Sequence, residues 1–196
     1  MPAYRQIRAS YDDSTVTVYQ AYPPHIAVPT VEQGRFPTWY NRDRMTWIKP
    51  SFRWMMYRSG WATKPGQERV LAIRILRSGF EWALTRSALS HFEPKVHASR
   101  EAWRQLLREA PVRIQWDPER DLHFAPLPYR AIQVGLSGPA VHRYVDEWVT
   151  AIEDVTDLAH RVHGLVRSRD LKAAQQLLPG EQVYPVPPAV AAALDC

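Results

Sequence analysis

The residues best suited to chemistry form a basic and aromatic cluster at residues 44–61, RMTWIKPSFRWMMYRSGW. A cationic side chain beside indole and phenol rings can stack on a base while its neighbours hold phosphates. Alternatively, the aromatic side chains cap a sheet and the arginines stack on them in solvent. For the whole cluster we favour a ligand site, and its candidate ligand-binding residues are Arg44, Thr46, Lys49, Ser51, Trp54, Tyr57 and Arg58.

A second polar group lies at residues 113–121, RIQWDPERD. Strand alternation places Arg113 and Gln115 on one face. Asp117 and Glu119 then follow at the end of the strand, where a catalytic carboxylate is well placed. A turn built on Asp-Pro with solvated charges explains the same residues. Gln133, in the next predicted strand, is placed to line the same cleft.

Several common chemistries are not indicated. The one cysteine is Cys196, so a disulfide framework within the chain is excluded and a cysteine metal site is not expected. The seven histidines lack a metal-ligand pattern, and a surface helix explains His160 and His163. Neither a phosphate-binding glycine-rich turn nor a Gly-x-Ser-x-Gly elbow is present. We therefore expect no metal site, and no hydrolase chemistry is indicated.

The charge is unevenly distributed along the chain. Residues 1–77 hold 12 Lys or Arg against 5 Asp or Glu, whereas residues 78–196 hold 13 against 15. A basic half suits a polyanionic or phosphate-bearing partner, although a solvated basic face that only aids solubility has the same composition. No apolar run approaches a membrane span, and the first residues lack the apolar core of a signal peptide. The sequence therefore predicts a cytoplasmic protein with no membrane partner.

The elements that must position these residues follow from periodicity and from turn residues. The pattern predicts a hairpin of strands 5–10 and 15–21, a helix ending near Gln33, a strand at 45–49, a helix at 52–59 and a strand at 69–76. On the helix at 52–59, we assign Phe52, Met55, Met56 and Ser59 to the core. Further along, the pattern predicts helices at 78–89 and 99–109, strands at 112–116 and 130–136, and helices at 139–152, 155–167 and 170–178.

Strands and helices alternate irregularly, and hairpin signals occur beside crossovers. This order favours an α+β fold over a doubly wound parallel sheet. We predict a single domain at residues 1–182 with a mixed or split β-sheet flanked by helices, in which residues 136–178 are mostly helical. Residues 183–196 are predicted to be an extended C-terminal tail.

Four stretches carry a resemblance to a known family: residues 5–8 (RQIR), 18–22 (VYQAY), 44–62 and 112–121. With these residues the chain resembles the bacterial domain-of-unknown-function family 4291 over nearly its full length. That family carries no assigned activity, so the resemblance implies membership and leaves the chemistry open.

A more distant similarity concerns the order strand, helix, strand, helix, strand over residues 16–75, which resembles the first half of the ADP-ribosyltransferase fold. The resemblance implies that Thr46 and Ser51 bond ribose and that Tyr57 stacks on nicotinamide. At the first strand this sequence has Gln20 where that fold has Arg or His, a departure that Arg5 or Arg8 on the adjoining strand would offset. Glu119 or Gln133 would take the catalytic position.

Two functions follow as expectations. The first is a nucleotide-binding, ADP-ribosyltransferase-like protein that acts on NAD or an RNA end, with Arg44 and Lys49 holding phosphate. The second is a non-enzymatic module that binds RNA or protein through its basic, aromatic face. Oligomeric state and substrate are left open by the sequence.

Overall fold

The computed structural model describes residues 3–196. Nine strands lie within this part of the chain: β1 Arg8–Ala9, β2 Thr15–Tyr22, β3 Thr46–Ile48, β4 Arg69–Leu76, β5 Ser87–Leu89, β6 Val112–Arg120, β7 Pro126–Leu136, β8 Val149–Asp154 and β9 Gln182–Val183. The α-helices of the same residues are α1 Pro24–Gln33, α2 Phe52–Ser59, α3 Arg77–Thr85, α4 Arg100–Glu109, α5 Pro139–Arg143, α6 Thr156–Arg167, α7 Leu171–Leu177 and α8 Pro188–Leu194.

The strands form three sheets. One has the order β2-β4-β8 and is antiparallel, and another has the order β3-β7-β6-β5, in which β5 runs parallel to β6. The third pairs only β1 with β9. Backbone hydrogen bonds between Tyr19 and Lys49, of 2.7 and 3.2 Å, connect the two larger sheets. The predicted α+β class with a mixed, split sheet is confirmed.

The core follows the predicted patterns. In β2 the alternating Val16 and Val18 are fully buried, and in β4 the apolar run places Val70, Leu71 and Ile73 inside. On α2 the four residues assigned to the core, Phe52, Met55, Met56 and Ser59, are all buried. The helix begins at Ser51, whose hydroxyl accepts the Trp54 N–H, and ends at Gly60 in the left-handed conformation (φ 62°).

The helix predicted at 139–152 is wrong in its last residues, because helical structure ends at Trp148. The structure has the five-residue helix α5, a π-helical turn at Tyr144–Trp148, and then strand β8, which pairs with β4. Without β8, one edge of the buried strand β4 would lack hydrogen-bond partners, so sheet pairing outweighs local helical periodicity there.

The first hairpin and the tail also differ from expectation. The first strand is only the two-residue β1, which pairs with β9. The predicted hairpin with β2 is reduced to the antiparallel bridge of Tyr11 with Val16 and the hydrogen bond from the Thr17 N–H to the Ser10 carbonyl at 2.9 Å. The tail is not extended throughout, since α8 covers Pro188–Leu194 and buries Leu194, whose carbonyl accepts the Trp116 Nε1–H at 3.0 Å. Pro188 at the first helical position and the alanines after it favour this helix. Within residues 3–196, no helix combines the length and apolar character needed to cross a membrane.

Candidate functional site

Three polar side chains lie in a row across neighbouring strands on one face of the β3-β7-β6-β5 sheet. Ile48 in β3 pairs with Val134 in β7, so Lys49, the next residue, lies beside Gln133, which in turn pairs with Gln115 in β6. Opposed residues of antiparallel strands share a face. Ile48 and Val134 are fully buried on the other face. We call Lys49, Gln133 and Gln115 the polar row.

A single carboxylate orients both amides of the polar row. Gln115 donates from Nε2 to Asp117 Oδ1 at 3.0 Å, and Gln133 donates from Nε2 to Asp117 Oδ2 at 2.6 Å. Because both Nε2 groups donate to Asp117, the carbonyl oxygen of each amide is left to accept a hydrogen bond from a ligand. The structure thus brings together Gln115 and Gln133, which the sequence predicts to line one cleft. Asp117 belongs to the second polar group of the sequence but is not one of its predicted site residues.

Lys49 is the unusual member of the row. Its side chain is buried, with 7% of the residue exposed, and Nζ donates to the Trp47 carbonyl at 3.3 Å. Among the residues that the structure describes, no carboxylate lies within 4.0 Å of this nitrogen. Burial, together with a smaller contribution from the positive charge of Arg58, lowers the pKa of Lys49 to about 8, and Asp117 partly opposes the shift. Most of the amine is therefore still protonated at pH 7, but the uncharged fraction is far larger than for an ordinary lysine.

Trp47 forms a flat wall beside the row. It pairs with Gly135, and a Cβ at Gly135 would lie 2.9 Å from Cζ2 of the indole ring. Only glycine lets the ring lie this close to the strand. The wall, the polar row and Asp117 share one sheet face, because residues two apart in a strand point the same way.

Helix α2 lies near the polar row, since the charge of its Arg58 acts on Lys49. Trp54 and Tyr57 stack on each other with ring centroids 5.0 Å apart, and the Arg120 guanidinium lies 4.0 Å from the Tyr57 centroid. The stacking predicted for a ligand ring is thus made in part by protein groups. The indole Nε1 of Trp54 is buried, and the described residues provide it with no acceptor. Arg58, one turn after Trp54, is exposed and acts on the charge of Lys49.

Gln20 and Thr46 belong to a buried hydrogen-bond network outside the polar row. Gln20 donates from Nε2 to Thr46 Oγ1 at 2.7 Å and accepts from the Tyr144 hydroxyl at 2.6 Å. The Tyr40 hydroxyl lies 3.1 Å from Thr46 Oγ1 and 2.9 Å from the Tyr22 hydroxyl. Burial raises the pKa of Tyr22 and Tyr144 well above their ordinary value. These groups join the sheets and position the strand that carries Lys49.

The remaining predicted residues do not converge on the polar row. Ser51 caps α2 with its hydroxyl, and Arg44 lies exposed in the loop before β3. Arg5 forms ion pairs with Asp195 and Glu93 and lines a separate cavity of about 250 Å³ beside His91. Glu119 is almost fully buried, and its Oε1 accepts the Arg120 N–H at 2.9 Å.

Arg8 lies at a second cavity, of about 320 Å³, beside the first turn of α2. This cavity is also lined by Arg53 and by Glu181, whose Oε1 accepts the Phe52 N–H at 2.7 Å. Burial raises the pKa of Glu181 to about 7, an effect that the Phe52 N–H opposes and the charge of Glu119 reinforces. Sequence reasoning missed Glu181, because a glutamate after Pro-Gly has the pattern of an ordinary turn.

Within residues 3–196, no three His, Cys, Asp or Glu side chains are grouped to hold a metal ion. No curated protein matches this sequence. The chain does match one family model over residues 6–184, which include the polar row, Asp117 and the whole of α2. It belongs to the family described as "Domain of unknown function (DUF4291)".

Proposed function

We propose that this protein binds a nucleotide, NAD or the end of an RNA, in an ADP-ribosyltransferase-like cleft centred on the polar row. The observation that carries the proposal is Lys49, a buried lysine without a carboxylate partner in the described chain. An uncompensated buried cation destabilises a fold, and such groups concentrate at functional sites. An anionic ligand oxygen supplies the missing partner.

The surrounding groups suit a nucleotide. Arg58 adds a second positive charge near Lys49, and arginine binds phosphate oxygens in pairs. The amide oxygens of Gln115 and Gln133 are acceptors for ribose hydroxyls, and the Trp47 ring offers a flat surface beside them. The buried Trp54 Nε1 is a further donor for a ligand oxygen.

The order of elements is consistent with this proposal. Strand β2, helix α1, strand β3, helix α2 and strand β4 follow one another in the expected order. The first-strand Gln20 is engaged with Thr46 and Tyr144, so the proposed site uses Lys49 for the anion instead. Fold order alone supports no activity, and the proposal therefore rests on the Lys49 environment.

Calorimetry and thermal shift test the binding. NAD, ADP-ribose, AMP and a short 5′-phosphorylated RNA are titrated into the wild-type protein and into Lys49→Met, Arg58→Gln and Lys95→Met. We expect at least one nucleotide to bind, Lys49→Met to weaken it at least tenfold, and Arg58→Gln to weaken it less. Lys95 is exposed, so its variant serves as the matched control. Absence of binding by all four ligands, or equal binding by Lys49→Met, would overturn the proposal.

A second candidate, non-enzymatic RNA binding, is favoured by one surface feature. Trp39 is 57% exposed in the loop after α1, and Arg35 and Arg44 in the same loop region are also exposed. An exposed ring among cations can stack on an unpaired base. This function predicts RNA binding that weakens steeply with salt and is lost in Trp39→Ala but retained in Lys49→Met. Binding that is lost in Lys49→Met but retained in Trp39→Ala would contradict this second candidate and support the nucleotide-binding proposal.

A further inference from the structure

Lys49 differs from the other three lysines of the chain. Lys64, Lys95 and Lys172 are exposed, and Lys49 alone is buried. Lysine is also scarce beside arginine, which fills 21 of the 25 basic positions. Arginine cannot lose its proton in a protein, whereas the lysine amine can. The buried basic residue of the site is therefore a lysine, which can lose its proton and act as a nucleophile, and not an arginine, which cannot.

We propose that Lys49 is a nucleophile whose Nζ forms a covalent bond with the anomeric carbon of a ribose in the bound nucleotide. This inference rests on the proposed function, and it names the reacting group of that site. Two sources of the same electrophile fit: the nicotinamide riboside end of NAD, and the free ribose end of ADP-ribose. In both, the reacting carbon is C1 of the terminal ribose.

Backbone and side-chain hydrogen bonds fix the position of the Lys49 amine. Lys49 directly follows β3, and its backbone is fixed by the two hydrogen bonds to Tyr19. Nζ donates to the Trp47 carbonyl, which leaves its lone pair free in the uncharged form. Burial favours that form, as the lowered pKa indicates. Precise positioning on a strand is the arrangement that a nucleophile requires.

The nearby carboxylate decides between two electrophiles. Attack on phosphorus builds negative charge, which Asp117 would oppose, whereas attack at an anomeric carbon passes through a cationic centre that Asp117 stabilises. The two amides that hold Asp117 keep it in place, because each of its oxygens accepts one of them. Asp117 therefore favours the ribose carbon over phosphorus, and a phosphate of the bound nucleotide offsets the opposing charge of Arg58.

The step balances for both sources. With NAD, the lone pair of Nζ forms a bond to C1, the bond from C1 to the pyridinium nitrogen breaks, and nicotinamide leaves with that electron pair as a neutral molecule. The nitrogen of the adduct then gives a proton to Asp117 or to water. With ADP-ribose, the amine adds to the ring-opened aldehyde and water leaves. The NAD adduct opens to the imine that ADP-ribose gives directly, and neither route needs an oxidant or a reductant.

Reductive trapping tests the inference. The full chain is incubated with NAD, with ADP-ribose or with AMP in the presence of cyanoborohydride, which reduces an imine to a stable secondary amine. Peptide mass spectrometry then locates the adduct. We expect the ADP-ribosyl mass on Lys49 at a level at least tenfold above Lys95 and Lys172, with either reactive ligand and without AMP labelling. Adduct from ADP-ribose alone assigns the free sugar as substrate, and release of nicotinamide assigns NAD.

Two variants separate charge from nucleophilicity. Lys49→Arg keeps the cation and is expected to retain binding while losing the adduct, and Lys95→Met is expected to label as the wild type does. Equal labelling of all lysines would overturn the inference, as would an unlabelled Lys49 in protein that binds NAD by calorimetry. In the second case the proposed binding function stands, whereas loss of binding as well would overturn both.

Discussion

The side-chain amide of Gln20 donates a 2.7 Å hydrogen bond to the hydroxyl of Thr46. Gln20 lies in β2 and Thr46 in β3, so this buried contact joins the two larger sheets. The backbone pair between Tyr19 and Lys49 lies at the same junction. The position of Lys49 therefore depends on a polar contact inside the core, and not only on apolar packing.

Gln20→Leu tests this dependence. The change leaves the buried Tyr144 hydroxyl without its acceptor, at a cost of roughly 1–3 kcal/mol, whereas Thr46 Oγ1 loses one partner and keeps the Tyr40 hydroxyl. We expect the free energy of unfolding, measured by urea titration, to fall by about that amount. Thr17→Val on the same strand is the control, because Thr17 is partly exposed. Equal effects of the two variants would contradict the role assigned to the network.

Much of the scaffold around this junction was predictable from local pattern. The alternation of Val16 and Val18 predicts β2, and the run before Leu76 predicts the buried β4. Ser51 and Gly60 mark the two ends of α2. The sequence also predicts that Gln115 and Gln133 line one cleft, because each lies on a predicted strand near the second polar group. Each of these signals spans only a few neighbouring residues, so it can be recognised in a single sequence.

The chemistry of the site was less predictable, because it depends on pairing between distant strands. The pairing of β3 with β7 brings Lys49 beside Gln133, and no local pattern encodes that register. Arg44 and Ser51 are predicted as ligand-binding residues from their residue types alone, yet Arg44 is exposed and the Ser51 hydroxyl caps helix α2. Glu181 reaches the start of α2 from the far end of the chain.

Gly135→Ala tests the wall beside the polar row. The new Cβ would meet Trp47 at 2.9 Å from Cζ2 and 3.0 Å from Cε2, so the ring must move. Forcing one extra carbon into such a contact costs about 1–3 kcal/mol. Urea denaturation should show this loss in the wild-type background. In Trp47→Leu the loss should shrink, since the ring is gone. If Gly135→Ala lowers stability equally in the wild type and in Trp47→Leu, contact with the Trp47 ring is not the cause of the loss.

Lys49→Met should raise stability at pH 7. The native pKa of Lys49, about 8, lies below its ordinary value of 10.5, so the unfolded chain holds more protons between these two values. Wild-type stability therefore rises with pH across that window, and Met lacks this dependence. The shift corresponds to roughly 3 kcal/mol at pH 7. The difference between variant and wild type should narrow as the pH approaches 10.

Urea titrations of both proteins from pH 7 to 10 measure that difference. Lys95→Met, which changes an exposed lysine, should follow the wild type at every pH. Taking the difference between proteins removes the titration of the tyrosines, which all variants share. A Lys49→Met protein that is less stable than the wild type at pH 7 would show that Lys49 is held by a favourable ion pair, contrary to its observed surroundings.

Glu181→Gln should raise stability above pH 7 and leave it unchanged near pH 4. The native pKa of Glu181, about 7, lies above its ordinary value of 4.5, so the native protein holds more protons between these values. The contribution of Glu181 is therefore fully present below pH 4.5 and is lost as the pH rises through 7. Glutamine keeps an oxygen for the Phe52 N–H without the charge, and we expect a gain on the order of 1–3 kcal/mol at pH 8.

Thermal or urea unfolding from pH 4 to 8 measures this gain against Glu101→Gln. The Glu101 side chain is 80% exposed, so its variant should not reproduce the rise. The sign of the effect decides between two forces at the second cavity. A gain at pH 8 means that burial and Glu119 outweigh the nearby cations. A loss at pH 8 means instead that Arg8, Arg53 and the first turn of α2 stabilise the charged carboxylate.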